Sequence, residues 1–148
     1  MVAGFPSLRS KKLVLEYNIP ISKTLKFWEG LKEGKVFATR CKMCGRLYFP
    51  PVADCGECYS SDIEWVELRG EGRVISFTHV DVRPPSFRGA PPYTVAIAEL
   101  DDGVKALAWL VGAEKKDVRI GMRVRLVPRI SDDGFPLYVL TPHAADNS

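Results

Sequence analysis

From residue 63 onward, apolar and polar side chains alternate in short runs, the period of strands with one buried face. Residues 65–68, 73–80, 94–100, 104–110, 122–126 and 137–140 carry this pattern, the fifth run with Arg123 and Arg125 at alternate positions. Gly70-Glu71-Gly72 separates the first two runs, Asp101-Asp102-Gly103 predicts a tight hairpin, and Gly134 breaks the last pair. The later helical fragment, residues 114–118, falls just before the closing strands. Five or six strands with one short helix so placed predict a mainly β fold, a small five-stranded barrel of the OB type.

The first third reads differently. Taken as a whole, residues 1–20 lack a sustained period and end at Pro20, and Leu13-Val14-Leu15 is expected either to pack locally or to pair as a short strand. Residues 21–33 predict a helix: Ser22 suits the N-cap, Gly34 the C′ position, and Lys32 and Lys35 the negative end of the dipole. Ile21, Leu25 and Trp28 form an apolar stripe that Phe27 and Leu31 widen. So short a helix needs tertiary packing to persist. Its aromatic face is expected either to enter the core or to present Phe27, Trp28 and Leu31 as a partner interface.

Between these parts stand Cys41-Lys42-Met43-Cys44 and Cys55-Gly56-Glu57-Cys58, which use all four cysteines of the chain. Each C-x-x-C places two thiols on one turn, and two such turns close a tetrahedral four-sulfur cage around one metal ion. Gly45 and Gly56 lie beside the ligands, and residues 45–52 read as a strand ending in a proline turn. The segment is too small to bury a core, so a bound metal is expected to supply its folding energy, on the order of 10 kcal/mol for structural zinc. Four thiolates leave no open position for water, which makes the expected metal structural. Iron fits the same sulfurs and stays open as the alternative. The expected domains are a helical arm at 1–36, a zinc ribbon at 37–62 and a barrel at 63–148.

Composition narrows the class. The chain of 148 residues is 46% hydrophobic and 26% charged, as in a water-soluble globular protein, and has no apolar run near the ~18 residues that span a bilayer. Pro6 and the charge that follows interrupt any secretory signal, so a cytoplasmic, reducing location is expected, where paired cysteines serve metals more often than disulfides. The net charge of +3 divides unevenly, with ten basic and three acidic residues in 1–50 against eleven and fifteen in 51–148. That asymmetry gives an anion-facing first third on a mildly acidic body.

The ordered series of motifs resembles one family. It comprises Phe27-Trp28-Glu29-Gly30-Leu31, Arg40-Cys41-Lys42-Met43-Cys44-Gly45, Tyr48-Phe49-Pro50-Pro51-Val52 and Cys55-Gly56-Glu57-Cys58, and then Glu64-Trp65-Val66-Glu67-Leu68, Pro92-Tyr93-Thr94-Val95-Ala96 and Gly121-Met122-Arg123-Val124. These are similar to the acyl-CoA-associated zinc-ribbon/OB-fold proteins, long catalogued as domain of unknown function thirty-five. The resemblance runs from about Ile21 to Leu140, with Gly56 standing where family members often carry proline. It implies an accessory protein beside a thiolase or hydroxymethylglutaryl-CoA synthase, with helix and ribbon touching the enzyme and the barrel framing the passage of the pantetheine arm.

The chemistry of the residues agrees with a non-catalytic role. With Cys41, Cys44, Cys55 and Cys58 on a metal, no nucleophilic cysteine remains for acyl transfer. His79 is expected as a packed or surface strand residue and His143 as part of a solvated tail. A CoA thioester would meet Arg83, Phe87, Arg88 and Tyr93 on the proline-stiffened loop 82–93, or Lys23 and Lys26 near the helix N-terminus. The alternative for that loop is a protective cover on a barrel edge. Two other functions stay open: nucleic-acid binding through the basic first third, and rubredoxin-like electron transfer if the metal is iron.

Overall fold

The structure, a computed structural model, describes residues 6–8, 10–87 and 89–144. Residues 10–20 are exposed and carry no regular structure, so Leu13-Val14-Leu15 neither packs against nor pairs with any of the described residues. Helix α1 (Leu25–Lys32) is shorter than the sequence predicts. Residues 22–24 form a turn, and Thr24, not Ser22, takes the N-cap position, its hydroxyl donating back to the Ile21 carbonyl. Ile21 and Leu25 therefore fall outside the buried stripe, which consists of Phe27, Gly30 and Leu31. The far end follows expectation: Gly34 has φ +82°, and the Gly34 and Lys35 amides return to the Leu31 and Gly30 carbonyls.

Three antiparallel strands form the ribbon sheet in the order β2-β1-β3, where β1 is Phe37–Cys41, β2 is Leu47–Tyr48 and β3 is Ile63–Glu67. Thr39 of β1 faces Tyr48 on one side and Trp65 on the other. The run expected to open the barrel is thus the third strand of the ribbon. Its partner β1 shows no strict alternation because it is the central strand, with Ala38, Thr39 and Cys41 all buried. Thr39 Oγ1 accepts the Val52 amide at 2.9 Å and fastens the proline segment to the sheet.

The barrel comprises β4 (Glu71–Val80), β5 (Tyr93–Leu100), β6 (Lys105–Leu110), β7 (Arg123–Ile130) and β8 (Pro136–Pro142), closed in the order β4-β5-β6-β8-β7. All pairings are antiparallel except β6 with β8, which meet at Leu110 and Leu140. Five strands leave a narrow interior, which Val74, Ala96, Ala98, Ala106, Ala108, Val124 and Leu140 fill. A short 3-10 turn at Lys115–Asp117 lies before β7, where the helical fragment is expected. Among the described residues no helix is long and apolar enough to cross a membrane.

Two devices join the parts. Phe27 of α1 meets Phe49 of the ribbon at 6.1 Å and Tyr138 of the barrel at 6.0 Å, both edge-on, and Phe49 meets Tyr138 at 5.2 Å. Phe27 and Leu31 are 3% and 2% exposed. They belong to the core, which corrects the interface expectation for both. Only half-buried Trp28 of that trio reaches the surface. The Asp102 carboxylate accepts the Arg69 and Gly70 amides at 2.9 and 3.0 Å, tying the chain that leaves β3 to the β5–β6 hairpin.

Candidate metal centre and barrel-end cleft

Backbone turns of matching design present the four cysteines. In the first, Gly45 N–H donates to the Cys41 carbonyl and Cys41 N–H to the Arg46 carbonyl; in the second, Tyr59 N–H donates to the Cys55 carbonyl and Cys55 N–H to the Ser60 carbonyl. The residue after each second cysteine is left-handed, Gly45 at φ +78° and Tyr59 at φ +59°. The turn-forming residue of the second knuckle is therefore Tyr59, and Gly56 has another use: its amide donates to the Tyr48 hydroxyl at 3.0 Å. Proline at that position would lack this donor.

All four Sγ atoms lie within 4.8 Å of one another, with Cys41–Cys58 and Cys44–Cys55 at 3.5 Å. These separations exceed the ~2.05 Å of a disulfide and bracket the edge of about 3.8 Å for a tetrahedron of sulfurs ~2.3 Å from a central zinc. Cys41 and Cys55 are buried, Cys44 and Cys58 exposed. The Cys58 and Glu57 amides and the Tyr48 hydroxyl, 3.3 Å away, hold the Cys55 thiol down to about 6. Cys58 receives the Ser60 amide, yet the neighbouring thiols of Cys41, Cys55 and Cys44 push it up to about 12. Four thiols this close cannot all ionise unaided, and a divalent cation at their centre removes the conflict. The donor set thus fits a tetrahedral metal.

A cleft of about 400 Å³ opens at the end of the barrel, away from the cage. Phe87, Tyr93 and Trp109 form its aromatic side, with ring centroids 5.7–6.3 Å apart. Across it, Lys115 pairs with Asp81 at 2.6 Å, which holds the Asp81 carboxyl below its usual range. His79 Nδ1 lies 2.7 Å from Thr94 Oγ1, and the two are opposite one another in the β4–β5 register. This is a cross-strand contact; no carboxylate hydrogen-bonds the other ring nitrogen among the described residues.

The predicted CoA residues divide. Phe87 and Tyr93 line the cleft, whereas the Arg83 guanidinium donates to the Ala90 carbonyl and braces the loop. Arg88 lies outside the described residues. Lys23 borders a separate depression beside Ile63 and Trp65, and Lys26 sits 5.0 Å over the Phe37 ring. The structure does not bring these lysines to the cleft. Trp109, Thr94 and Lys115 escaped sequence reasoning. The signal for Trp109 was its place in the outward phase of β6, opposite Val95.

A four-thiol ribbon followed by a closed OB barrel, joined through one helix, defines the class. The chain matches the rubredoxin-like zinc ribbon domain of ChsH2 over residues 28–64 and the C-terminal OB-fold domain of ChsH2 over residues 65–129. A DUF35 domain-containing scaffold protein of Methanocaldococcus jannaschii is 34% identical over 81% of this chain and 87% of its own length. The benzoylsuccinyl-CoA thiolase subunit BbsA of Thauera aromatica is 31% identical over 66% of this chain and 68% of its own. Among solved structures, the Ltp2-ChsH2(DUF35) aldolase superimposes with a TM-score of 0.72 at 32% identity, covering 86% of this chain and 98% of the other. The chain belongs to the DUF35 family of zinc-ribbon/OB-fold proteins.

Proposed function

We propose that this protein is a non-catalytic scaffold that docks on an acyl-CoA-processing enzyme, a thiolase or hydroxymethylglutaryl-CoA synthase, and lends a wall to its thioester channel. The observation that carries the reading is the convergence of all four cysteines into one closed cage. It leaves the barrel-end cleft without a thiol nucleophile, so acyl transfer falls to a partner. Relatives that are named scaffold proteins, and one named a thiolase subunit, support it.

Zinc is the proposed occupant of Cys41, Cys44, Cys55 and Cys58, holding the ribbon in shape. In the cleft, Phe87, Tyr93 and Trp109 offer apolar faces to a pantetheine arm or an adenine ring. Lys115 offers a cation to a phosphate once its pairing with Asp81 opens.

Affinity purification of the tagged full chain from its own host cell tests the reading. An acyl-CoA enzyme identified in the eluate, with no turnover by the scaffold alone, is the expected result. Recovery only with nucleic acid, or consistently alone, overturns it.

A further inference from the structure

The arm that precedes α1 lies outside both family matches, which begin at residues 28 and 65. From Leu13 to Ile21 every odd position is apolar: Leu13, Leu15, Tyr17, Ile19 and Ile21. The even positions carry Glu16, Asn18 and Pro20, with Val14 the exception. That is the period of a strand with one face buried. Yet Leu13, Leu15, Tyr17 and Ile19 are 64–82% exposed. Among the described residues the first backbone hydrogen bond is Thr24 N–H to the Ile21 carbonyl. The pattern is that of a strand in a sheet, and the described residues offer it none.

We propose that residues 13–21 add as a strand to an open sheet edge of the partner enzyme. The proposal rests on the docking function proposed above and names the contact that makes it. Nine extended residues reach about 30 Å. The barrel is closed, and the ribbon sheet ends in strands of two and five residues, so the described residues of a second copy offer no edge of matching length. A heterologous edge of eight or more residues does. Lys11 and Lys12 before the run and Lys23 and Lys26 after it call for acidic residues flanking that edge. The same lysines discourage arms from pairing with one another. Main-chain hydrogen bonds supply the affinity, and the five apolar side chains set the register.

The test uses the tagged full chain and the purified acyl-CoA enzyme recovered with it, with binding measured by biolayer interferometry. Single proline variants are made at Val14, Leu15, Glu16, Tyr17 and Asn18, together with Leu15→Asp. In an added strand only alternate amides point at the partner. Proline should therefore weaken binding about tenfold or more at one parity and far less at the other. Leu15→Asp should weaken it at least as much, and none of the variants should move the thermal midpoint of the free chain. A uniform proline profile, or binding indifferent to every variant, overturns the strand while leaving the docking function standing. Failure to recover any acyl-CoA enzyme defeats the docking function and the strand with it. Self-association of the wild-type chain that these variants abolish assigns the arm to a second copy and also overturns the proposal.

Discussion

Replacing Phe27 with alanine separates a core role for α1 from a docking role. The ring is 3% exposed and makes edge-on contacts with Trp28, Phe49 and Tyr138 at centroid distances of 5.1, 6.1 and 6.0 Å. Truncating so buried a phenylalanine costs roughly 3–5 kcal/mol in transfer free energy and residual cavity. The aromatic geometry, at about 0.5–1.5 kcal/mol per pair, places the expected loss in the upper half of that range. Because the ring lies where helix, ribbon and barrel meet, neighbours from three elements would have to move together to fill the gap. Against a total of ~5–15 kcal/mol, the variant should unfold at distinctly lower urea concentration and melt about 10 °C or more below wild type. Equilibrium denaturation followed by tryptophan fluorescence reads both. Leu25→Ala, on the exposed side of the same helix, should stay within about 0.5 kcal/mol. A Phe27→Ala loss below about 1 kcal/mol, with partner binding abolished in the folded variant, would refute the core assignment and restore Phe27 to the interface.

Further outcomes follow from other contacts. Cys41→Ser, or excess chelator, should release one equivalent of metal and unfold the ribbon; a colourless metal-loaded protein indicates zinc, and full stability without metal refutes the structural role. Tyr48→Phe removes the hydroxyl beside Cys55 Sγ and the acceptor of the Gly56 amide, and should weaken metal affinity about 10–100-fold in competition with a chelating dye. Gly72→Ala should abolish close β4–β5 pairing, since its Cβ would fall 2.3 Å from the Glu99 carbonyl oxygen; amide exchange at Asp101, whose N–H donates to the Glu71 carbonyl, reads the loss. Hydrogen bonds from Arg123 hold the Asp101 carboxyl below its usual range. Its stabilising contribution is present above the unfolded value near 3.9 and is lost as pH falls through the lower folded value. Asp101→Asn should therefore flatten the acid limb of a stability–pH curve, and an unchanged limb would refute the coupling.

How much the sequence revealed depended on the distance over which each feature is decided. The paired cysteines, the Gly34 helix stop and the Asp101-Asp102-Gly103 hairpin are settled by neighbours in the chain, and all are found where the pattern puts them. Gly72 looked like a break between strands because the signal for a loop and the signal for close backbone approach are the same residue. It lies inside β4 because β5 passes too near to admit a side chain. Strand β1 escaped notice because a central strand, covered on both faces, loses its alternation. The cleft was legible only in part for a related reason. Phe87 and Tyr93 share one unusual loop, but Trp109 and Lys115 reach them only through barrel closure, which no local pattern encodes.

The arm inverts that relation and so carries information about what lies outside the chain. A local pattern of period two, broken only at Val14 over nine residues, meets no tertiary partner among the described residues. Elsewhere in this protein each strand pattern is matched by a strand that pairs with it. Exposed apolar side chains at that density bring an aggregation risk, and the lysines at both ends limit it without removing the apolar face. A segment under no constraint but solubility would need neither the alternation nor its flanking charges. Their coexistence is what a strand requires when it must stay single in the free chain and pair in a complex.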